Sequence, residues 1–414
     1  MTKCIALFSL LLAGPASAAD FPKFVAQEID AHAGEVVYAV TTADVNGDKK
    51  PDVVAVTEDA VYWYENPSWT KHTIIKGKTE RDNVCLQAHD IDGDGKIDFA
   101  LGAGWHPAST TKASTLQWLG RDAKGEWQVH PIKYDEPTLH RIRWGDVLGN
   151  GKMQLVVVPL QGRGTKGPNW GEGAGVKVLV YSIPEDPTKA DWPVDVADDG
   201  LHCVHNLQVF SPPGEGKKDL ILLAAWEGVA CVWKTDDGRW HRMKLGEGNQ
   251  QSTPSKGASE IKRGVLKDKR YYLATIEPWH GFQVVIYTPK TTALITPGGN
   301  RFSERQVLAE PVAWGHAVWC ADLDGDGDDE LIIGQRDPNK DASKAPKGPG
   351  IFAFRPTLDD KGNLTFTRHT IDDGGMACED ALAADLDGDG KPEIIAGGRA
   401  THNVKIYWNK GASK

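Results

Sequence analysis

Asp385, Asp387 and Asp389 alternate with a leucine and a glycine, Gly390 follows, and Glu393 closes the stretch at its ninth position. Carboxylate oxygens spaced around glycine kinks suit calcium, which takes about six to eight hard oxygen ligands. An acid at the ninth rather than the twelfth place, followed by the apolar run Ile394-Ile395-Ala396, excludes an EF-hand. The stretch recurs. Asp44, Asn46, Asp48 and Asp52 form one copy, Asp90, Asp92, Asp94 and Asp98 a second, and Asp322, Asp324, Asp326 and Glu330 a third. A worn copy begins at Asp146, another at Ser211 keeps little beyond its glycines and Asp219, and a unit near Leu266 to Arg270 is marked only by the strand that follows it. The same loops could close on their own side-chain hydrogen bonds as ion-free turns. Calcium is expected in the loops beginning at Asp90, Asp322 and Asp385, both readings stand for Asp44, and Asp146 is expected to be empty. Such ions would stiffen the scaffold and take no part in catalysis.

The loops also act as a ruler. Their starts, from Asp44 to Asp385, fall at a spacing close to a four-stranded propeller blade of about 40–50 residues plus insertions. Each unit has a short strand before the loop, a β-branched strand after it (Val53-Val54-Ala55-Val56) and then an aromatic strand (Val61-Tyr62-Trp63-Tyr64). Most units add an outer strand, such as Trp127 to Ile132 or Phe366 to Ile371. The last unit stops after Tyr407-Trp408 without one, and Phe24 to Ile29 has the missing strand's pattern. Threading the N-terminal strand into the last blade leaves no open sheet edge. The expected fold is all-β: one seven-bladed β-propeller over residues 20–414, with no helical domain.

Residues 1–19 read as a signal peptide: Lys3, then the apolar run Ile5 to Ala13, then small residues ending at Ala18-Ala19. The chain is therefore expected to be exported, either periplasmic or secreted, with no membrane span, since the run is too short to cross a bilayer. Without Cys4, five scattered cysteines remain, which suits buried thiols better than a disulfide framework, although one bridge stays possible in an exported protein. The formal charge of −10 argues against nucleic acid as a partner. Fifteen tryptophans favour a sugar or glycan. Nothing in the sequence sets an oligomeric state. The glycine-rich run from Gly162 lacks the strand–loop–helix setting of a phosphate cradle.

Six residues before each loop start stand Tyr38, Val84, His140, His205, Glu260, His316 and Glu379. The strand before the loop is innermost in a propeller, so these positions should ring the channel. Imidazoles and carboxylates facing one another there could hold zinc or another divalent ion, or supply acid–base groups. Satisfied channel polar groups are the plainer alternative, and His205 taken alone reads as one. The exit turns of the second strands decorate the same face and bring Trp105, Arg163, Trp279, His280, Arg336 and Arg399. Stacked tryptophans and bidentate arginines suit a polyhydroxyl or carbonyl ligand, although packing is the ordinary role for any one tryptophan. Cys85, Cys320 and Cys378 on inner strands read as packing residues.

The Asp-rich loops followed by apolar strands resemble FG-GAP/VCBS-type repeats, which build propellers with cation sites between the first two strands of a blade. His140-Arg141-Ile142-Arg143-Trp144, Glu277-Pro278-Trp279-His280-Gly281, Gly315-His316 and Cys378-Glu379-Asp380 with Gly398-Arg399 are similar to the propeller domain of aldos-2-ulose dehydratases. That resemblance implies a hydro-lyase acting on 2-keto sugars (an aldos-2-ulose or an anhydro-ketose). On it, His140, His205, His316 and Glu379 would be metal ligands or base, His280 a general acid, and Arg163, Arg336 and Arg399 with Trp105 and Trp279 would hold substrate. A non-catalytic propeller binding glycans or a protein, and a lyase acting on uronate polysaccharides, are the alternatives.

Overall fold

The computed structural model describes residues 20–212, 218–289, 305–308, 312–339, 348–359 and 362–412. The expected signal peptide, and the middle of the worn loop at Ser211, lie outside these residues. No helix among those described is long and apolar enough to cross a membrane.

The strands form seven antiparallel four-stranded sheets, each meandering from an inner to an outer strand. The inner strands are Val37–Ala43, Cys85–His89, Leu139–Gly145, Asn206–Phe210, Glu260–Val265, Gly315–Ala321 and Cys378–Ala384. We number the blades 1 to 7 in that order. The strand Phe24–Asp30 pairs with Val404–Asn409 to complete blade 7, as the sequence pattern predicts. Blade 7 then packs on blade 1 through Leu382, Leu386, Ile395 and Ile406 against Val37, Val40 and Val53, closing the ring.

The repeated loop builds the same local structure each time. Its first aspartate accepts two backbone N–H groups: Asp385 from Gly388 and Gly390, and Asp90 from Gly93 and Gly95. The ninth acid turns inward at the start of the second strand and accepts the N–H of loop position two, at 2.7–2.9 Å in Asp52, Asp98, Glu330 and Glu393. Gln154 ties the worn copy in a similar way with a partner one residue on, accepting the N–H of Leu148 at loop position three at 3.0 Å. That explains how a loop stripped of acids keeps the fold. Latches between blades use the same loops: Asn66 of blade 1 donates to Leu386 O of blade 7, and Asn409 of blade 7 to Leu323 O of blade 6, both at 2.7 Å. Close approach of neighbouring blades explains a recurrent glycine. A Cβ on Gly102, Gly334 or Gly397 would lie 2.1–2.5 Å from Leu139, Cys378 or Val37 of the next blade. The five cysteines of the described residues are free, and burial raises the thiols of Cys85 and Cys320 to about 12, which fits packing.

Candidate functional site

The inner strands are not regular where they enter the channel. In blades 1, 3, 6 and 7 the ladder to the second strand skips one residue near the start: Tyr38, His140, His316 and Glu379 respectively. Such a bulge takes a residue out of the pairing and re-aims its side chain. In blade 5 the corresponding residue, Glu260, opens the inner strand, and in blade 4 His205 immediately precedes it. All of these side chains, and Val84, are buried.

Two of the imidazoles are tethered through Nδ1, and a third lies beside a carboxylate. His140 donates to His205 O at 2.7 Å, His316 donates to Glu379 O at 2.6 Å, and His205 Nδ1 lies 2.7 Å from Glu260 Oε1. Tethering fixes the tautomer of His140 and His316 and leaves their Nε2 with its lone pair. The fourth imidazole, His280, comes from the turn after the second strand of blade 5 and has φ +48°, a conformation rare for a residue with a side chain. Its Nε2 meets His205 Nε2 at 2.7 Å, and ligand nitrogens of His205, His280 and His316 all fall within 4.8 Å of one another. Burial lowers the pKa of each of these histidines, with neighbouring cationic groups adding to the effect on His140, His280 and His316. The imidazoles are therefore neutral, the state in which histidine binds a metal or accepts a proton.

The structure thus converges the ligand nitrogens of three of the four histidines expected at the site; His140 packs beside them, its ring 4.4 Å from that of His205, with its Nε2 already engaged. Arg141 Nη1 sits 3.1 Å from His140 Nε2 and occupies its lone pair. Glu379 borders the cluster, with Oε1 3.7 Å from His316 Nε2 and accepting from Arg399 Nη1 at 2.9 Å. Arg336 Nη1 is 3.8 Å from Oε2, which has no hydrogen-bond partner among the described residues. Burial raises the Glu379 pKa, and Arg399, Arg336 and Arg141 oppose that rise. Trp105 packs on His140, and Trp279 stacks on His280. Arg163 is not brought to the cluster: its guanidinium donates to Thr111 O and Asp135 O in the loops of blades 2 and 3.

Two residues escaped the register. Arg141 follows the bulge and shares the channel with His140. Trp314, 42% exposed with φ +50°, presents its ring to His280 and carries Arg336 on its face at 4.3 Å. It precedes an inner strand, outside any repeat position.

Residues 33–101 match the FG-GAP-like repeat, and residues 113–290 match the β-propeller domain of aldos-2-ulose dehydratase. Aldos-2-ulose dehydratase of Phanerodontia chrysosporium is 27% identical over 274 residues, 62% of this chain and 29% of that protein. This chain is a seven-bladed propeller that is similar to the FG-GAP-like repeat in one segment and to the propeller domain of aldos-2-ulose dehydratase in another. The aldos-2-ulose dehydratase match spans less than a third of the curated relative's length, and its propeller-domain segment carries His140, His205, Glu260 and His280. An ancestral GH74 enzyme shares the fold at a TM-score of 0.51 and 14% identity, over 92% of this chain and 45% of that one. The extracellular domain of BT4673 from B. thetaiotaomicron does so at 0.50 and 10%, over 94% and 40%.

At the opposite end of the blades, the loops gather carboxylates. Asp90, Asp92 and Asp94; Asp322, Asp324 and Glu330; and Asp385, Asp387 and Glu393 each place three ligand oxygens within 4.8 Å. Oε1 of Glu330 and of Glu393 is buried without a hydrogen-bond partner among the described residues, and burial with the charge of Asp324 raises Glu330 to about 9. The Asp44 loop, with Asn46 at its third position, holds itself by turns: Asp44 accepts from Gly47 and Lys49, and Asp48 from Lys50.

Proposed function

We propose that this chain is an exported carbohydrate-active hydro-lyase that removes water from a 2-keto sugar, with its reaction centre at the mouth of the channel. The observation that carries the reading is the convergence of His205, His280 and His316, with Nδ1 of His316 bound to Glu379 O and Nδ1 of His205 2.7 Å from Glu260 Oε1. Metal-binding histidines are held in this way by outer-shell acceptors. Three neutral nitrogens beside a carboxylate fit zinc or a similar divalent ion with an open position. When bound, such an ion polarises the substrate carbonyl and favours its enolate.

The protein's own groups then have defined work. Glu379 Oε2, raised in pKa and free of hydrogen bonds, takes the proton from the carbon next to the carbonyl. The C–H electrons form the new C=C bond as the C–O bond one carbon further along breaks. Glu379 returns its proton to the departing hydroxyl, so water leaves and an enone remains. Arg336 and Arg399 orient sugar oxygens, and Trp314, Trp279 and Trp105 offer faces for its C–H surfaces. In this scheme His280 is a ligand and not the general acid.

Elemental analysis of purified protein, with a panel of 2-keto sugars followed by enone absorbance, tests the reading. About one zinc-like ion per chain, beyond any calcium, and new absorbance with at least one sugar are expected. An ion-free channel and a silent panel, together with glycan binding, would favour the non-catalytic alternative.

The Asp loops are proposed as structural calcium sites. A cation would partner the orphaned oxygens of Glu330 and Glu393 and relieve their crowding. Asp387→Ala is expected to lower the melting temperature by several degrees in calcium and to weaken its response to chelator. Equal melting curves for the variant and the parent in calcium would show that this loop works without an ion.

A further inference from the structure

On the loop side of the imidazoles, the inner strands enclose a cavity of about 280 Å³. Arg141, Arg143 and Lys262 stand in its wall, and Asp380 is the one acid among its lining residues. Arg141 and Lys262 are buried, yet none of the three cations has an ion pair with a carboxylate among the described residues. Their described hydrogen bonds are local. Arg143 Nη1 donates to Ile142 O, Lys262 Nζ to Ile261 O, and Arg141 Nη1 to His140, which leaves most of their N–H groups unused. Asp380 meanwhile accepts the backbone N–H of Val40. A separate observation points the same way: Trp144, also in the wall, has a buried indole N–H with no acceptor among the described residues.

Among the lining residues three cations face one carboxylate, and Glu260, bonded to Asn206 beside the cavity, also acts on Arg143 and Lys262, which leaves a charge excess of one in a partly desolvated space. Buried charge without a partner is costly, and an anion placed between a guanidinium fork and an ammonium offsets that cost. Asn206 and Gln208 also line the space. Water could fill it, but water does not neutralise charge.

We propose that this cavity is an anion site that takes a small oxyanion, phosphate, sulfate or the carboxylate of a sugar acid, between Arg141, Arg143 and Lys262. The site is separate from the imidazole cluster, and its existence does not depend on the elimination chemistry. Arg141 touches both, so an anion there would pull on the residue that holds His140.

The test is calorimetric titration of the whole mature chain at low ionic strength with sodium phosphate, sodium sulfate and sodium glucuronate in turn, with sodium chloride as control. Saturable one-to-one binding of at least one oxyanion is expected, and the anion that binds best identifies the source. Lys262→Met and Arg143→Gln should each weaken it about tenfold or more, with circular dichroism and melting unchanged. Arg399→Gln, at the bowl, should leave it intact. If either cavity variant fails to fold, the other decides. The proposal is overturned if no oxyanion binds the parent protein more tightly than chloride. It is equally overturned if Arg399→Gln abolishes binding, or if the folded cavity variants bind as the parent does.

Discussion

His316→Ala is expected to strip the channel of its divalent ion and to end turnover of 2-keto sugars, with a melting temperature close to that of the parent freed of the same ion. His316 supplies one of three converging nitrogens and lies 3.7 Å from Glu379. Loss of an outer-shell partner alone typically costs about 10–100-fold in metal affinity or activity, so loss of a ligand should exceed that. The fold should tolerate the change because His316 sits in a bulge, outside the pairing of Gly315 with Gln335 and of Ala317 with Gly334. The bond from its Nδ1 to Glu379 O is worth about 1 kcal/mol. Removing a desolvated imidazole offsets part of that loss. Ion content is read by elemental analysis, turnover by enone absorbance and stability by calorimetry. A variant that keeps both its ion and its turnover would remove His316 from the mechanism.

The second large effect is on stability. A chain lacking residues 1–30 should lose its cooperative melting transition and aggregate, whereas one lacking only residues 1–19 should melt as the parent does. Phe24–Asp30 supplies the outer strand of blade 7, paired from Phe24 with Asn409 to Asp30 with Val404. Its removal bares the edge of Val404–Asn409, and unpaired edges recruit other chains. Phe21 and Phe24 would also leave the cluster that joins blades 6 and 7. Size-exclusion chromatography and calorimetry separate the outcomes. A monodisperse protein with an unshifted transition would show that the ring does not need this strand.

The blade count and the closure were legible because the loop that marks each blade also builds it. The ninth acid is conspicuous as a charge beside an apolar strand, and it is buried because it ties the loop to that strand. The channel residues were legible for a related reason. The loop and the strand start lie at a fixed distance, so counting six back reaches Tyr38, His140, His316 and Glu379 in four blades alike. Arg141 and Asp380 were not, since strict alternation turns the residue after a channel residue toward the blade packing, and only a bulge lets both share the channel. Arg163 illustrates the opposite failure. Blade 3 leaves its second strand through a long excursion, in which Thr110 binds Thr165 O across the blade boundary, and the arginine is used to hold that loop. Trp314 lies in a connection of its own length, where no repeat carries a register.

The bulges also bear on how such a molecule can change over evolutionary time. A side chain excluded from the ladder contributes little to blade pairing, and the hydrogen bonds on either side of it are made by backbone atoms. Histidine, tyrosine and glutamate already occupy this one place in different blades of the same chain. The ring therefore offers a set of interchangeable sockets, and new chemistry can be tried in the channel without renegotiating the architecture that surrounds it.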